Sequence, residues 1–496
     1  MLKEYYAMKS RYTILLAIVL TVIVMAPAEA APGSKNAQAT AGNDATVDVG
    51  NKATTSATKE ATAPAGKDAT TTAGKNCNGK GRNDKGYYKD IFMDGGIVLN
   101  SRTDLPSTLY MGYSLEYFAS APTKQLTAVD TMLQTALMVG SAIDENGCLL
   151  YPDGAPRFRM IYVNGGKSVQ HGKTLGEEGL QRFRDFVANG GSYLGSCAGA
   201  YMTATYIRKS KGPEFCDWYP RIWPGMVRYT QLGNSWIDLD IEPGSALLKY
   251  YDFGGDMRID SVRHNGGCSA DTSRYWPKGT EILARYNQGD RQLKRRIHGE
   301  PAIWAYKESD LTGRVIACGS HPESVLYGER NQLMAAMEQY AMEGNGLPRV
   351  KAELTPGEVR VMDKFTHDAD PAFTRIGDKQ YHHFTVEVPE GCDSLVIKLD
   401  PVKGAENYDL WLLANPGDFA FLGEAAWLNV DYGVKKHIGI KAPKAGTLYI
   451  SVYCNTTVDT ITTAYGTQYT GRTDVLNGVP YKIKVSFPAK SAAGTE

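Results

Sequence analysis

The chain has 496 residues, and its 54 basic and 54 acidic side chains give a formal net charge of zero. That balance removes the electrostatic case for nucleic acid or an anionic membrane surface as partner, and the length allows two or three domains. The eight cysteines contain no Cys-x-x-Cys pair and no Cys/His spacing of a zinc site, so neither a metal nor a cofactor is expected.

The N-terminus reads as an export signal over residues 1–30. Lys3, Lys9 and Arg11 supply the positive region, Ile14 to Met25 the apolar run, and Ala28-Glu29-Ala30 a small-x-small cleavage site. Met8 is an alternative start, and an uncleaved anchor is the competing reading, but the apolar run is short for a membrane span, so the mature chain is expected to begin near Ala31 without one. A secreted, periplasmic or cell-surface location follows. Residues 31–80 are rich in Ala, Thr, Gly and Lys, with almost no large apolar side chains. They read as a linker that buries too little apolar surface to fold.

A folded region is expected over 88–345, with strand and helix patterns alternating. Asp90 to Met93 starts it, and Ala128 to Val139 is an amphipathic helix pattern. Arg159 to Val163 reads as a strand ending in Asn164-Gly165-Gly166, where a glycine pair lets backbone N–H groups face a substrate carbonyl. Leu175 to Val187 places Leu180, Phe183 and Val187 on one helix face. Alternation of this kind means a parallel sheet with function at the strand C-termini.

The next block is the most informative. Gly190-Gly191-Ser192-Tyr193-Leu194-Gly195-Ser196-Cys197-Ala198-Gly199-Ala200 reads as strand, sharp turn and helix, with helix expected over Ala200 to Ile207. This is the form of a nucleophile elbow, with Cys197 at a helix start and the Ala198 N–H placed for an oxyanion. A buried structural cysteine in a glycine-rich turn is the competing reading. Glu214 follows, either touching polar groups of a substrate or serving a surface or capping role. Trp218, Tyr219, Trp223, Tyr229 and Trp236 either line a ligand cleft or sit in the core. Pro301 to Tyr306 and Arg314 to Gly319 read as late strands, the second running into His321-Pro322-Glu323. A histidine there can take the thiol proton, and a carboxylate two residues on can fix its tautomer. Asn331 to Met342 closes the region, and Gly344 to Pro348 is a linker that few contacts should cross.

Seven blocks in order carry a resemblance over residues about 88–345. They run from Tyr162-Val163-Asn164-Gly165-Gly166, through Phe186 to Gly191 and the elbow, to Glu214-Phe215 and Trp223-Pro224-Gly225. His264-Asn265-Gly266-Gly267, Gly279 to Ala284 and Gly319 to Glu323 complete them. This region resembles the biotin-protein ligase N-terminal domain family, within the class I glutamine amidotransferase-like superfamily. The resemblance implies a flavodoxin-like α/β fold with Cys197, His321 and Glu323 in the triad positions. It does not imply biotin ligation, whose catalytic domain has no counterpart here. Class I glutaminases continue Cys-Leu-Gly-x-Gln, whereas this chain continues Cys197-Ala198-Gly199-Ala200-Tyr201.

From about residue 350 to 489 the pattern alternates with period two over Tyr381 to Val388, Ser394 to Leu399, His437 to Ile440, Thr447 to Val452 and Tyr481 to Phe487. Turn residues between the runs predict an all-β sandwich. Tyr408 to Leu412, Ala442 to Tyr453 and Tyr481 to Val485 resemble the bacterial pre-peptidase C-terminal domain, which accompanies secreted hydrolases. Glu406-Asn407-Tyr408-Asp409 stands where that family has Gly-Asp-x-Asp, and reads as a solvated turn in preference to a calcium site. His382 and His383 are expected on opposite strand faces. Cys392 and Cys454 are either a disulfide pair or two buried thiols.

Together these readings predict an exported cysteine-nucleophile hydrolase for a C–N bond, with Cys197, His321 and Glu323 as catalytic residues. Gly166 and Ala198 form its oxyanion hole, and Gly165 and Glu214 contact substrate. The expected partners are a small-molecule or peptide amide and, through the sandwich, a cell-envelope polymer. The alternative is a non-catalytic ligand-binding module on the same fold.

Overall fold

Three short, largely buried strand runs decide where the chemistry-bearing loops fall. The computed structural model describes residues 86, 89–93, 108–110, 140, 144–323, 328–366, 370–463 and 466–488. The stretches expected to be an export signal, a linker and, over Ala128 to Val139, a helix lie outside the described residues.

Among the described residues, thirteen strands and three α-helices build the first region. The strands are β1 (Lys89–Met93), β2 (Thr108–Tyr110), β3 (Phe158–Val163), β4 (Ser192–Ser196), β5 (Ala204–Lys209), β6 (Gly212–Phe215) and β7 (Trp223–Tyr229). They continue with β8 (Ser235–Ile241), β9 (Arg258–His264), β10 (Cys268–Ala270), β11 (Thr280–Asn287), β12 (Pro301–Tyr306) and β13 (Val315–Cys318). The helices are α1 (Ser168–Ala188), α2 (Ala198–Thr203) and α3 (Glu329–Glu343).

Nine strands form one mixed sheet in the order β2-β1-β3-β4-β13-β12-β11-β8-β9. The first five are parallel, and the remaining pairs are antiparallel. Central strands of a parallel sheet are covered on both faces, and β4 and β13 are buried at every position. Because β3, β4 and β13 are parallel neighbours, the loops after Val163, Ser196 and Cys318 leave the same sheet edge side by side. Helix α1 buries Leu180, Phe183 and Val187 as expected, but starts earlier, at Ser168, and is broken at Gly176 with φ 65° and ψ 176°.

The helix expected over Ala200 to Ile207 is corrected. Helix α2 ends at Thr203, whose hydroxyl donates back to the Ala200 carbonyl at 2.8 Å. The following Ala-Thr-Tyr-Ile run becomes β5, as its β-branched and aromatic side chains favour. It joins a second, four-stranded sheet in the order β10-β7-β5-β6.

Beyond Pro348 the expected alternating runs are strands at Tyr381–Val388, Ser394–Pro401, Lys436–Lys441, Gly446–Cys454 and Tyr481–Ser486. They belong to a five-stranded and a four-stranded sheet, and apolar side chains of both enter one cluster with residues of the first region. Phe158 and Phe186 share that cluster with Phe384, Leu412 and Ile483. Contacts do cross the 344–348 linker. The Arg157 guanidinium donates to Asp378 at 2.9 Å and faces Asp144 at 3.4 Å. Asp153 accepts from Lys351 at 2.8 Å and from Gln380 at 2.8 Å.

Two further expectations meet the structure here. Cys392 and Cys454 are free thiols, each with Sγ near a backbone carbonyl, at Ser394 and Thr456. Asp409 is buried, not solvated. It accepts from Asn455 Nδ2 at 2.7 Å and the Gly433 N–H at 3.0 Å, with the Lys436 ammonium 3.7 Å away. A lysine therefore supplies the positive charge beside that carboxylate. His382 and His383 do take different partners, Tyr481 and Ser451. No helix among the described residues is long and apolar enough to cross a membrane.

Candidate active site

The elbow is a backbone feature before it is a chemical one. Strand β4 runs through Ser196, and the Cys197 N–H still donates to the Cys318 carbonyl of β13 at 2.8 Å. Cys197 itself has φ 49° and ψ −101°, a region that a side chain other than glycine rarely enters. Its carbonyl accepts from the Tyr201 N–H at 3.1 Å, which closes the first turn of α2. The reversal points the side chain out of the sheet edge. As the first residue of α2, Ala198 has its N–H outside the helical ladder.

His321 follows β13, and its N–H donates to the Arg263 carbonyl of β9 at 2.8 Å. The ring stands next to Cys197 on one side. On the other, Nδ1 lies 2.8 Å from Glu323 Oε1. With Nδ1 given to the carboxylate, Nε2 is the nitrogen left for another partner. Glu323 is buried, and Cys197 is only 4 % exposed, while the His321 side chain keeps 18 % of its surface. Burial opposes charge on the ring, and the hydrogen bonds to Cys197 and Glu323 outweigh it, raising His321 from 6.5 to about 10. The imidazole therefore stays protonated through neutral pH.

Gly165 explains why the loop after β3 carries glycine. A Cβ there would stand 2.2 Å from His321 Cε1 and 3.2 Å from Cys197 Cβ, so the ring occupies the space a side chain would need. Gly166 has φ 143°, which a side chain would resist. The loop is tied to the elbow through the Gly199 N–H, which donates to the Asn164 carbonyl at 3.1 Å. Cys197, His321, Gly165, Gly166 and Ala198 thus come together, with Glu323 behind the ring.

Glu214 is not brought to this group. It lies exposed on β6, across from Ile207 of β5, and its nearest ionic partner is the Lys209 ammonium at 3.9 Å. A strand position also removes the helix-capping role. Of the aromatic residues, Trp223 and Tyr219 are buried, whereas Trp218, Tyr229 and Trp236 are exposed. Tyr229 packs on Tyr201 at 5.5 Å between ring centroids, and Tyr201 OH donates to the carbonyls of Gly266 and Gly267 at 3.1 and 3.0 Å.

The sequence assigned no role to the loop after β9, yet that loop closes the site. The Asn265 carbonyl lies 3.6 Å from Cys197 Sγ. Thr230 donates its one hydroxyl hydrogen to the Gly267 carbonyl at 2.8 Å, so it must accept from His264 Nε2 at 2.7 Å. His264 Nδ1 then accepts from Ser320 at 2.9 Å. Burial, followed by the charge on His321, lowers His264 from 6.5 to about 4 and keeps it neutral. Two adjacent histidines are held in opposite charge states. The only signal of this in the sequence was the His264-Asn265-Gly266-Gly267 block.

Residues 139–217 match the model of the family described as biotin-protein ligase, N terminal. This is the family expected from the sequence blocks, and the matched span includes β3, α1, β4 and the elbow. No curated protein matches the chain. Among solved structures, a glutamine amidotransferase is similar at 21% identity, covering 37% of this chain and 80% of that one, with a TM-score of 0.25. A protein described as thua-like, from Bacteroides uniformis ATCC 8492, is 12% identical over 53% of this chain and 93% of its own, with a TM-score of 0.28. The pre-peptidase C-terminal domain of a Bacillus anthracis collagenase is 12% identical over 28% of this chain and all of its own (100%), with a TM-score of 0.16.

Proposed function

We propose that this protein is an exported cysteine-nucleophile hydrolase that cleaves a C–N bond of a small-molecule or peptide amide. One observation carries the reading: Cys197, the His321 ring and Glu323 stand together at the edge where three parallel strands end, with His321 Nδ1 2.8 Å from Glu323 Oε1. In this reading the thiol proton already rests on His321, oriented by Glu323, and the sulfur attacks the carbonyl carbon. A protonated ring beside sulfur is the condition that favours the thiolate nucleophile. The N–H groups of Ala198 and Gly166 receive the oxyanion. The C–N bond breaks as His321 returns its proton to the leaving amine. Water, deprotonated by the same ring, then hydrolyses the thioester.

The five parallel strands with their helices are the flavodoxin-like part, and the two C-terminal sheets are a β-sandwich in this proposal. Export follows from the N-terminal pattern, with the mature chain starting near Ala31. The exposed faces of the sandwich are the surface for an envelope polymer.

The test is to incubate the mature protein with an amide and peptide library, with and without prior thiol alkylation. Cleavage should vanish in Cys197→Ala, nearly vanish in His321→Ala and fall clearly in Glu323→Gln, since such residues act as a unit. Full activity in Cys197→Ala ends the proposal. Saturable binding without cleavage leaves the non-catalytic module. N-terminal sequencing of the native protein checks export, and a chain that still starts at Met1 counts against it.

A further inference from the structure

The carboxylate that orients His321 is itself held, by groups with no part in the proposed bond-making. Ser196 Oγ donates to Glu323 Oε1 at 3.0 Å, the same oxygen that faces His321 Nδ1. Tyr162 OH lies 2.9 Å from Ser196 Oγ. A serine hydroxyl has one hydrogen, and here the carboxylate takes it, so the tyrosine must be the donor to Ser196. The directions are therefore fixed along the whole row: Tyr162 donates to Ser196, Ser196 to Glu323, and His321 to Glu323 from the other side. Tyr162 is fully buried, Ser196 is 1 % exposed and Glu323 is 4 % exposed. Glu323 Oε2 has no hydrogen-bond partner among the described residues, so both directional restraints converge on Oε1.

We infer that Ser196 and Tyr162 are positioning residues, which fix the Glu323 carboxylate and through it the orientation and charge of His321. The inference rests on the hydrolase reading only for its catalytic meaning. Its geometry rests on the strands alone. Tyr162 is the fifth residue of β3 and Ser196 the last of β4, and the two strands pair in parallel with Tyr162 beside Leu194. The backbone ladder thus sets the spacing of the two hydroxyls before any side chain moves. Low local dielectric strengthens each bond in such a row and makes a missing member costly. Among the described residues neither hydroxyl hydrogen-bonds the thiol, and the hydrogen-bonded route from both leads to Glu323.

Two readouts test this without a known substrate: the imidazole NMR titration of His321, and the rate at which iodoacetamide labels Cys197, followed by mass spectrometry of its peptide. Ser196→Ala should lower the His321 midpoint from its wild-type value near 10. It should also slow labelling near neutral pH by about tenfold, the weight of one hydrogen bond to a charged group. Tyr162→Phe, which removes only an oxygen, should shift both in the same direction by less. Ser196→Thr restores the hydroxyl and should recover both. A folded Ser196→Ala or Tyr162→Phe protein with the wild-type midpoint and rate overturns the inference, and if Ser196→Ala fails to fold, Tyr162→Phe decides. Failure of the hydrolase reading looks different: the wild-type protein cleaves no amide, while the His321 midpoint still moves in both variants.

Discussion

Two of the buried charge clusters among the described residues are built to opposite ends. Around Arg157 the groups are sealed: the guanidinium and Asp378 side chains are each 1 % exposed and satisfy one another across two regions of the chain. Burial pushes Asp144 up to about 6 and raises Asp378 as well, with Arg157 opposing both. Around Cys197 the charge is equally deep at Glu323 but opens outward through the half-shielded His321 ring. The backbone is strained at Cys197, and a glycine at 165 leaves room against the ring. The Arg157 joint has both features as well: Lys379, next to Asp378, has φ 59°, and a Cβ at Gly377 would stand 2.3 Å from Tyr151 Cδ1. Perturbed titration alone therefore does not separate a site from a joint, because both clusters have it. Access does separate them: the Arg157 and Asp378 side chains are sealed, whereas His321 reaches solvent, and a structural ion pair gains nothing from such access.

The harshest way to break this contrast is to cut the chain after Pro348. The apolar cluster shared by Phe158, Phe186, Phe384 and Leu412 would be opened, and Arg157 and Asp153 would lose Asp378, Lys351 and Gln380. The truncated protein should aggregate on size-exclusion chromatography, and a soluble fragment with the full-length thermal midpoint would show that the joint is dispensable. A gentler change is Arg157→Met, which leaves two buried carboxylates without their cation. The expected loss is about 3–5 kcal/mol of stability in urea unfolding, because removing one partner strands the other charges. Cys197 labelling in the surviving folded fraction should stay unchanged.

The site responds in the reverse manner. Gly165→Ala would force the His321 ring aside, with a Cβ only 2.2 Å from Cε1. Labelling of Cys197 by iodoacetamide should fall about 100-fold, as displacements of about 1 Å do in aligned sites, with little change in urea midpoint. Unchanged labelling would mean that the ring placement does not matter to the thiol.

The smallest effect is in the pH dependence of stability. His321 is near 10 when folded and 6.5 when unfolded, so the folded chain holds its extra proton between these values. That stabilisation is complete below 6.5 and is lost as pH rises toward 10. His264 is near 4 when folded, so the unfolded chain binds more protons between 4 and 6.5, and stability falls as pH drops through that window. Asp144 acts oppositely from the joint: folded near 6 against 3.8, it adds stability as pH falls from 6 toward 3.8. Thermal midpoints should decline from neutral pH toward 10, and Glu323→Gln should flatten that decline. An equal slope in both proteins would detach the His321 shift from its carboxylate.

By itself the sequence determined the local chemistry. The apolar run into Gly195-Ser196-Cys197 dictates a strand and a sharp turn, and the run ending at Cys318 dictates a second strand that delivers His321 and Glu323. Period-two alternation likewise placed the late strands at Tyr381, Ser394 and Tyr481, because half-buried strands display that period directly. Tertiary structure decided what those segments meet. Chain order says nothing of β3 and β13 flanking β4, and it is that neighbour relation which sets Tyr162 beside Ser196 and His321 beside Cys197. The same holds for the Asn265 carbonyl at the thiol and for Asp378 on Arg157, whose partners lie 68 and 221 residues away. It also holds for the misplaced helix after the elbow, where pairing of β5 with β6 and β7 overrode a weak helical pattern. Local pattern fixes backbone type because it depends on near neighbours. Which polar groups are buried against each other depends on sheet order, and a single sequence carries no record of that order.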